Sequence, residues 1–139
     1  MLERAFNKYE ISFLRDNIGD YLIDGGYSDD WGCSLKFWFC IEGEEKNLLA
    51  VRIYSDRRIP KSQWNTALIL CNMWNNQMRW PKSCLYVEDS FKSTTGTIQL
   101  DHHLDLTGGT TQGLIDNAVS NIIRGGIRFW NWAIQEQDF

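Results

Sequence analysis

The chain has 139 residues, 43% of them hydrophobic and 23% charged, with a formal net charge of −4. That length suits one domain, residues 1–139, with a core of its own, and the acid excess is the opposite of the basic footprint that a nucleic-acid binder needs to neutralise phosphates. No run approaches the roughly 18 apolar residues of a membrane span, and the start MLERAFNKYE lacks the basic and apolar regions of a signal peptide, so no membrane partner and a cytoplasmic location are expected.

Residues 2–18 read as an amphipathic helix. Leu2, Ala5, Phe6, Tyr9 and Phe13 share one face, Glu3, Lys8 and Glu10 do not, and Gly19 supplies the stop. Tyr21–Ile23 suits a short strand. The following Gly25, Gly26, Ser28, Asp29 and Asp30 suit a turn-rich connection, and their spacing is not that of a calcium loop. Cys33–Glu42 alternates as a strand, with Cys33, Leu35, Phe37, Phe39 and Ile41 on one face. The acidic turn 42–47 closes a hairpin onto Leu48–Tyr54, where Leu49, Val51 and Ile53 continue that apolar face. The opposite face carries Trp38, Leu48 and Tyr54. These are either isolated surface residues or parts of one contact patch, since large residues on adjacent strands can merge.

The stretch Ile59–Pro81 has the cleanest helical pattern, with Pro60 and Ser62 at its start and Pro81 as its stop. Trp64, Ala67, Leu68, Cys71, Trp74 and Met78 fall on one broad face, with Leu70 at its margin. A second stripe, Ile69, Met73 and Trp80, lies on the far side. It calls either for cover from the same chain or for a partner.

Ser83–Asp89 and Thr97–Asp105 read as a second hairpin with its turn at 90–96. Within it, Asp101, His103 and Asp105 share one face, while His102 lies in the apolar row of Leu100 and Leu104. Adjacent histidines on opposite faces cannot chelate together, so no metal or other cofactor is expected, and His102 reads as a hydrogen-bonded, partly buried structural residue. Gly108 and Gly109 break the strand. Thr110 or Thr111 then caps a last helix running to about Ala133, whose face is Ile115, Ala118, Val119, Ile122, Gly126, Phe129, Trp130 and Ala133. Gly125-Gly126 in its middle permits close approach of another element or a bend.

Cys33, Cys40, Cys71 and Cys84 form no C-x-x-C pair and sit in apolar segments, so they read as reduced core thiols. The basic pairs Arg57 and Arg58, Arg79 and Lys82, and Arg124 and Arg128 are interspersed with acids and read as solvated, mixed-charge surface. The expected architecture is α+β: three helices and a mainly antiparallel sheet of about five strands, in the order α-β-β-β-α-β-β-α.

Trp74 and Asn75, then Arg79, Trp80 and Pro81, then a hairpin that leads into Gly108, Gly109 and Thr110 resemble the YbjN domain family over nearly the whole chain. There a W-N-x-x-x-R-aromatic-P helix end precedes a strand pair and a G-G-hydroxyl helix start. The resemblance implies a fold similar to that of type III secretion chaperones, which are small, acidic, usually dimeric proteins that bind extended segments of other proteins. It also implies a bacterial sensory-transduction regulator, and it brings no catalytic residues. The acidic residues that often follow the proline are thinner here, with Lys82-Ser83-Cys84 before Glu88 and Asp89.

These readings converge on a non-enzymatic protein-interaction module, regulatory or chaperone-like, whose partner is a protein or a second copy. Its surfaces would be Ile69, Met73 and Trp80 on the helix and Trp38, Leu48 and Tyr54 on the sheet. A small-ligand sensor with an aromatic groove between helix and sheet is the alternative. An enzyme would need a nucleophile with its base, or a carboxylate pair assembled from Glu88, Asp89 or Asp101.

Overall fold

The computed structural model describes residues 1–139. Helix α1 (Leu2–Lys8) is followed by strands β1 (Leu14–Arg15), β2 (Tyr21–Ser28), β3 (Cys33–Glu42), β4 (Leu48–Ser55) and β5 (Ile59–Pro60). Then come helix α2 (Trp64–Gln77), strands β6 (Lys82–Tyr86) and β7 (Thr95–Asp105), and helix α3 (Gln112–Asn131), which runs on as a wide turn through Trp132–Glu136. Every strand pair is antiparallel, and the sheet runs β1-β2-β3-β4-β7, with β6 and the short β5 also pairing with β7. The fold is α+β as expected. The strand count rises from about five to seven because β1 and β5 are two-residue pairings that leave no periodic signal.

One face of the sheet carries the core. Phe37 pairs with Ile53, and Ile53 with Leu100; Phe39 pairs with Val51, and Val51 with His102. Phe37, Phe39, Val51, Ile53 and Leu100 are almost wholly buried. Helix α3 lies on this row at Gly126, where a Cβ would stand 2.9 Å from Ile53 Cδ1 and 3.0 Å from Phe37 Cε1. A Cβ at the neighbouring Gly125 would stand 2.7 Å from Pro81 Cδ. The glycine pair is therefore a seat for two other elements, with no break in the helix around it.

Three elements differ from their sequence reading. Helix α1 ends at Lys8, well short of 18, because Glu10 takes a left-handed conformation (φ 55°) and closes it. Ile11 N donates to Phe6 O and Glu10 N to Asn7 O, the bond pair of a Schellman cap, here built without glycine. Phe13 still meets Phe6, with ring centroids 5.1 Å apart, but it arrives through the following loop, and Tyr9 is exposed. Strand β2 is longer than Tyr21–Ile23, because the expected turn at Gly25-Gly26 is a bulge within the strand. The register shifts there, and Gly26 has φ 72°. The helix read over Ile59–Pro81 is shorter at both ends: Ile59–Pro60 pairs with β7 as β5, Lys61–Gln63 is a 3-10 turn, and α2 stops at Gln77 because the backbone at Met78 is extended. The last helix starts as expected, with Thr111 Oγ1 accepting from Leu114 N as the cap of α3.

Helix α1 is tied to α3 by polar groups that no periodicity shows. Asp116, only 7% exposed, accepts from Lys8 Nζ at 2.6 Å and from Gln112 Nε2 at 2.7 Å. The Gln112 and Lys8 bonds hold the Asp116 carboxyl below its usual range.

Gly126→Val should lower the free energy of unfolding by about 1–3 kcal/mol through overpacking, read by urea titration of tryptophan fluorescence. A depressed native carboxyl contributes stability above its unfolded value and loses it as pH falls through the native one. Asp116→Asn should therefore be less stable than the parent at neutral pH, and the gap should close as pH drops below about 4, followed by the urea midpoint.

Candidate functional site

All three helices pack on the core face of the sheet, so the other face is uncovered. Trp38 stands on it, opposite Arg52 on β4 and Leu22 on β2, and Tyr54 is its diagonal neighbour. Both rings are half-buried. Leu48 sits further along, opposite Glu42, with the buried Cys40 and Ala50 between it and Trp38. Tyr86, which is 53% exposed, stands on the same face of β6, separated from Tyr54 by Gln99 and Thr97 of β7. The sheet thus brings Trp38 and Tyr54 together with Leu22 and shows Tyr86 on the same face, two residues that the sequence reading did not nominate. Arg52 donates to Glu42 at 2.6 Å across the same face.

The helix stripe is not one surface. Ile69 is 62% exposed, but Met73 is half-buried and packs against the core. At Met78 the backbone turns extended, so Trp80 lies past the helix. Its ring meets His102 of β7 edge-on, with centroids 5.5 Å apart. The buried face of α2 is also rotated from the expected one. Leu70 joins Ala67, Cys71 and Trp74 in the core, and Leu68 is 52% exposed.

Beneath Trp80 is a latch of buried groups. Trp74 Nε1 donates to Pro81 O at 2.7 Å, and its ring meets Phe129 at 5.2 Å. Asn75 imitates a strand neighbour: its Nδ2 donates to Ser83 O, and its Oδ1 accepts from Ser83 N. Ser83 Oγ donates to Cys71 O. Trp74, Asn75 and Pro81 are thus structural, while Arg79 and Trp80 between them stay at the surface.

Trp80 is shared by three hollows. An apolar groove of about 290 Å³ lies between α3 and the end of β7, lined by Trp80, Leu104, Leu114, Ala118 and Ile122. A second hollow brings Arg124 and Arg128 beside Trp80, and a third brings Arg79 and Lys82. Both hollows border Trp80 because Gly125 seats Pro81, which no single stretch of sequence reveals, and the third also holds Asp101. Strand β6 runs beside β7 only as far as Asp101, whereas β4 continues to Asp105. His102–Asp105 therefore has a strand on one side alone.

His102 faces the core, and burial together with the neighbouring His103 holds it below the usual imidazole range. It is partly buried as expected, but its close partner is the Trp80 ring. Asp101, His103 and Asp105 lie on the outer face, and no three His, Cys, Asp or Glu groups converge as a metal site. Asp101 accepts from Gln99, and Asp89 accepts from Phe91 N and Lys92 N, so both serve local structure. Burial pushes the Cys33, Cys40 and Cys71 thiols up to about 11. Cys84 is exposed on the outer face, contrary to its reading as a core thiol, because its side of β6 has no helix over it. No helix is long and apolar enough to cross a membrane.

Ile69→Asp should leave stability within about 0.5 kcal/mol of the parent, whereas Met73→Asp should cost about 1–3 kcal/mol, both read from chemical denaturation.

A family model, YbjN, described as "Putative bacterial sensory transduction regulator", matches residues 1–135. A crystal structure of YbjN from E. coli, described as a putative transcription regulator, superposes with a TM-score of 0.71 at 14% identity, covering 98% of this chain and 90% of that one. At that identity the likeness speaks for the fold. No curated protein sequence matches the chain.

Proposed function

This chain belongs to the YbjN family, and from that premise we propose that it is a non-enzymatic protein-interaction module, regulatory or chaperone-like, that holds a protein partner on surfaces its own helices leave open. The observation that carries this reading is the uncovered sheet face. Trp38 and Tyr54 are diagonal neighbours there, with the exposed Tyr86 beyond Gln99 and Thr97 of β7, and no helix lies over them. Aromatic side chains flanked by charge suit the centre of an interface, because they bury much area for little conformational cost. A second copy of the chain is one partner that such a face accommodates.

The small-ligand alternative has one observation behind it, the groove beside Trp80. Its volume of about 290 Å³ lies at the low end for ligand sites, and Trp80 and Leu114 are half-exposed along it. That shape suits a side chain or a short segment better than an enclosed molecule.

Trp38→Asp together with Tyr54→Asp should lower the melting temperature by several degrees, as loss of two half-buried rings does, yet leave a cooperative melt, while weakening partner association about 30-fold or more, as loss of an aromatic hot spot does. Light scattering and photo-cross-linking from position 38 read the result. A fall from dimer to monomer identifies the partner as a second copy. An unchanged monomer with no cross-linked protein in either form rejects the sheet face as the interface.

A further inference from the structure

The groove beside Trp80 has features that the interaction reading alone does not use. The chain is acidic overall, yet Arg124 and Arg128 line one hollow at Trp80 and Arg79 and Lys82 line another, and none of the four is among the ion pairs of the fold. The hollow of Lys82 also holds Asp101, its cross-strand neighbour, whereas that of Arg124 and Arg128 holds no carboxylate. A carboxylate placed beside Arg124 and Arg128 gains attraction from both guanidinium groups. Arg124 and Arg128 are one helical turn apart on α3, and both guanidinium groups offer forked donors to a carboxylate.

The floor of the same site is apolar, and its wall is an open strand. Leu104, Ala118 and Ile122 line the groove. Beyond Asp101, β7 has lost its β6 neighbour. In an antiparallel ladder alternate residues turn both N–H and C=O to the same side, so His102–Asp105 presents unpaired backbone groups toward that gap. Exposed edges of this kind accept an added strand, with main-chain bonds for affinity and side-chain pockets for selectivity.

We propose that the Trp80 groove binds an extended, acidic segment of a partner protein. The segment adds a short strand to the open edge of β7, sets an apolar side chain against Leu104, Ala118 and Ile122, and places a carboxylate on Arg124 and Arg128. The proposal rests on the interaction-module reading and names the partner chemistry of a second surface. Duplex nucleic acid is the competing anion. It suits this site less well, because the cations lie in small hollows beside an apolar groove on an acidic protein instead of forming a broad positive face.

The test selects a phage-displayed random peptide library on the intact chain. Selected peptides are then measured by fluorescence anisotropy against the parent, Arg124→Glu/Arg128→Glu and Trp38→Asp, with thermal melts to confirm that each variant folds. The proposal expects peptides enriched in Asp and Glu around an apolar residue. Binding should weaken about tenfold or more in the charge-reversed variant, fall with added salt, and survive Trp38→Asp. Hydrogen exchange at amides 102–105 should slow when peptide is bound. Peptides without acidic enrichment, or binding indifferent to the charge reversal, overturn the proposal. If that binding is lost in Trp38→Asp, the interaction reading survives through the sheet face. No selected binder at all overturns both. Tighter binding of a short labelled DNA duplex than of any peptide, abolished by Arg124→Glu/Arg128→Glu, assigns the groove to nucleic acid and also overturns the proposal.

Discussion

Much of this structure depends on how closely α3 approaches the rest of the chain at Gly125 and Gly126. One glycine admits the Pro81 ring, and the other admits Ile53 and Phe37 of the sheet. Any side chain at either position would push the helix outward by a few tenths of an ångström or more, and a close-packed interior does not absorb such shifts without loss. Pro81 is in turn held by Trp74, whose indole N–H meets the Pro81 carbonyl while its ring packs on Phe129 of the same α3. Helix α2, the start of β6 and helix α3 are thereby locked at one point.

That lock explains why the segment between α2 and β6 has two characters. Trp74, Asn75, Pro81 and Ser83 satisfy one another's polar groups in a buried setting, where an unmade bond would cost more than a made one gains. With both ends of the link fixed, Arg79 and Trp80 are displayed at the surface, and Arg124 and Arg128 come to the same place from the far end of the chain. A rigid latch beneath an exposed aromatic and its cations is a preorganised surface, and preorganisation lowers the ordering cost of association.

The layer arrangement accounts for the other exposed surface. Three helices on one side of a sheet bury the row from Phe39 to His102 and leave the opposite row to solvent. Trp38 and Tyr54 stay half-buried there by lying against their cross-strand neighbours, a common way for an open face to keep large rings partly dry. The same uncovered face explains why Cys84 is exposed while Cys71, whose backbone carbonyl meets Ser83, is buried.

Periodicity alone was sufficient for much of the fold. The alternation of Cys33–Glu42 and Leu48–Tyr54, the apolar face of α3 and the glycine pair within it all appear in the structure as the spacing implies, because each is set by neighbours within one element. The family resemblance carried by Trp74, Asn75 and Pro81 was legible for the same reason. The end of α1 was not, since Glu10 closes the helix in a conformation its residue type rarely takes. Of the nominated surface residues, Trp38 and Tyr54 were readable as same-face neighbours on paired strands. Ile69, Met73 and Trp80 share a stripe only while the helix continues, and it ends at Gln77. The groove, the open edge of β7 and the placing of two basic pairs some 45 positions apart on hollows that share Trp80 belong to tertiary structure alone. They arise where Gly125 meets Pro81, and no local period connects those residues.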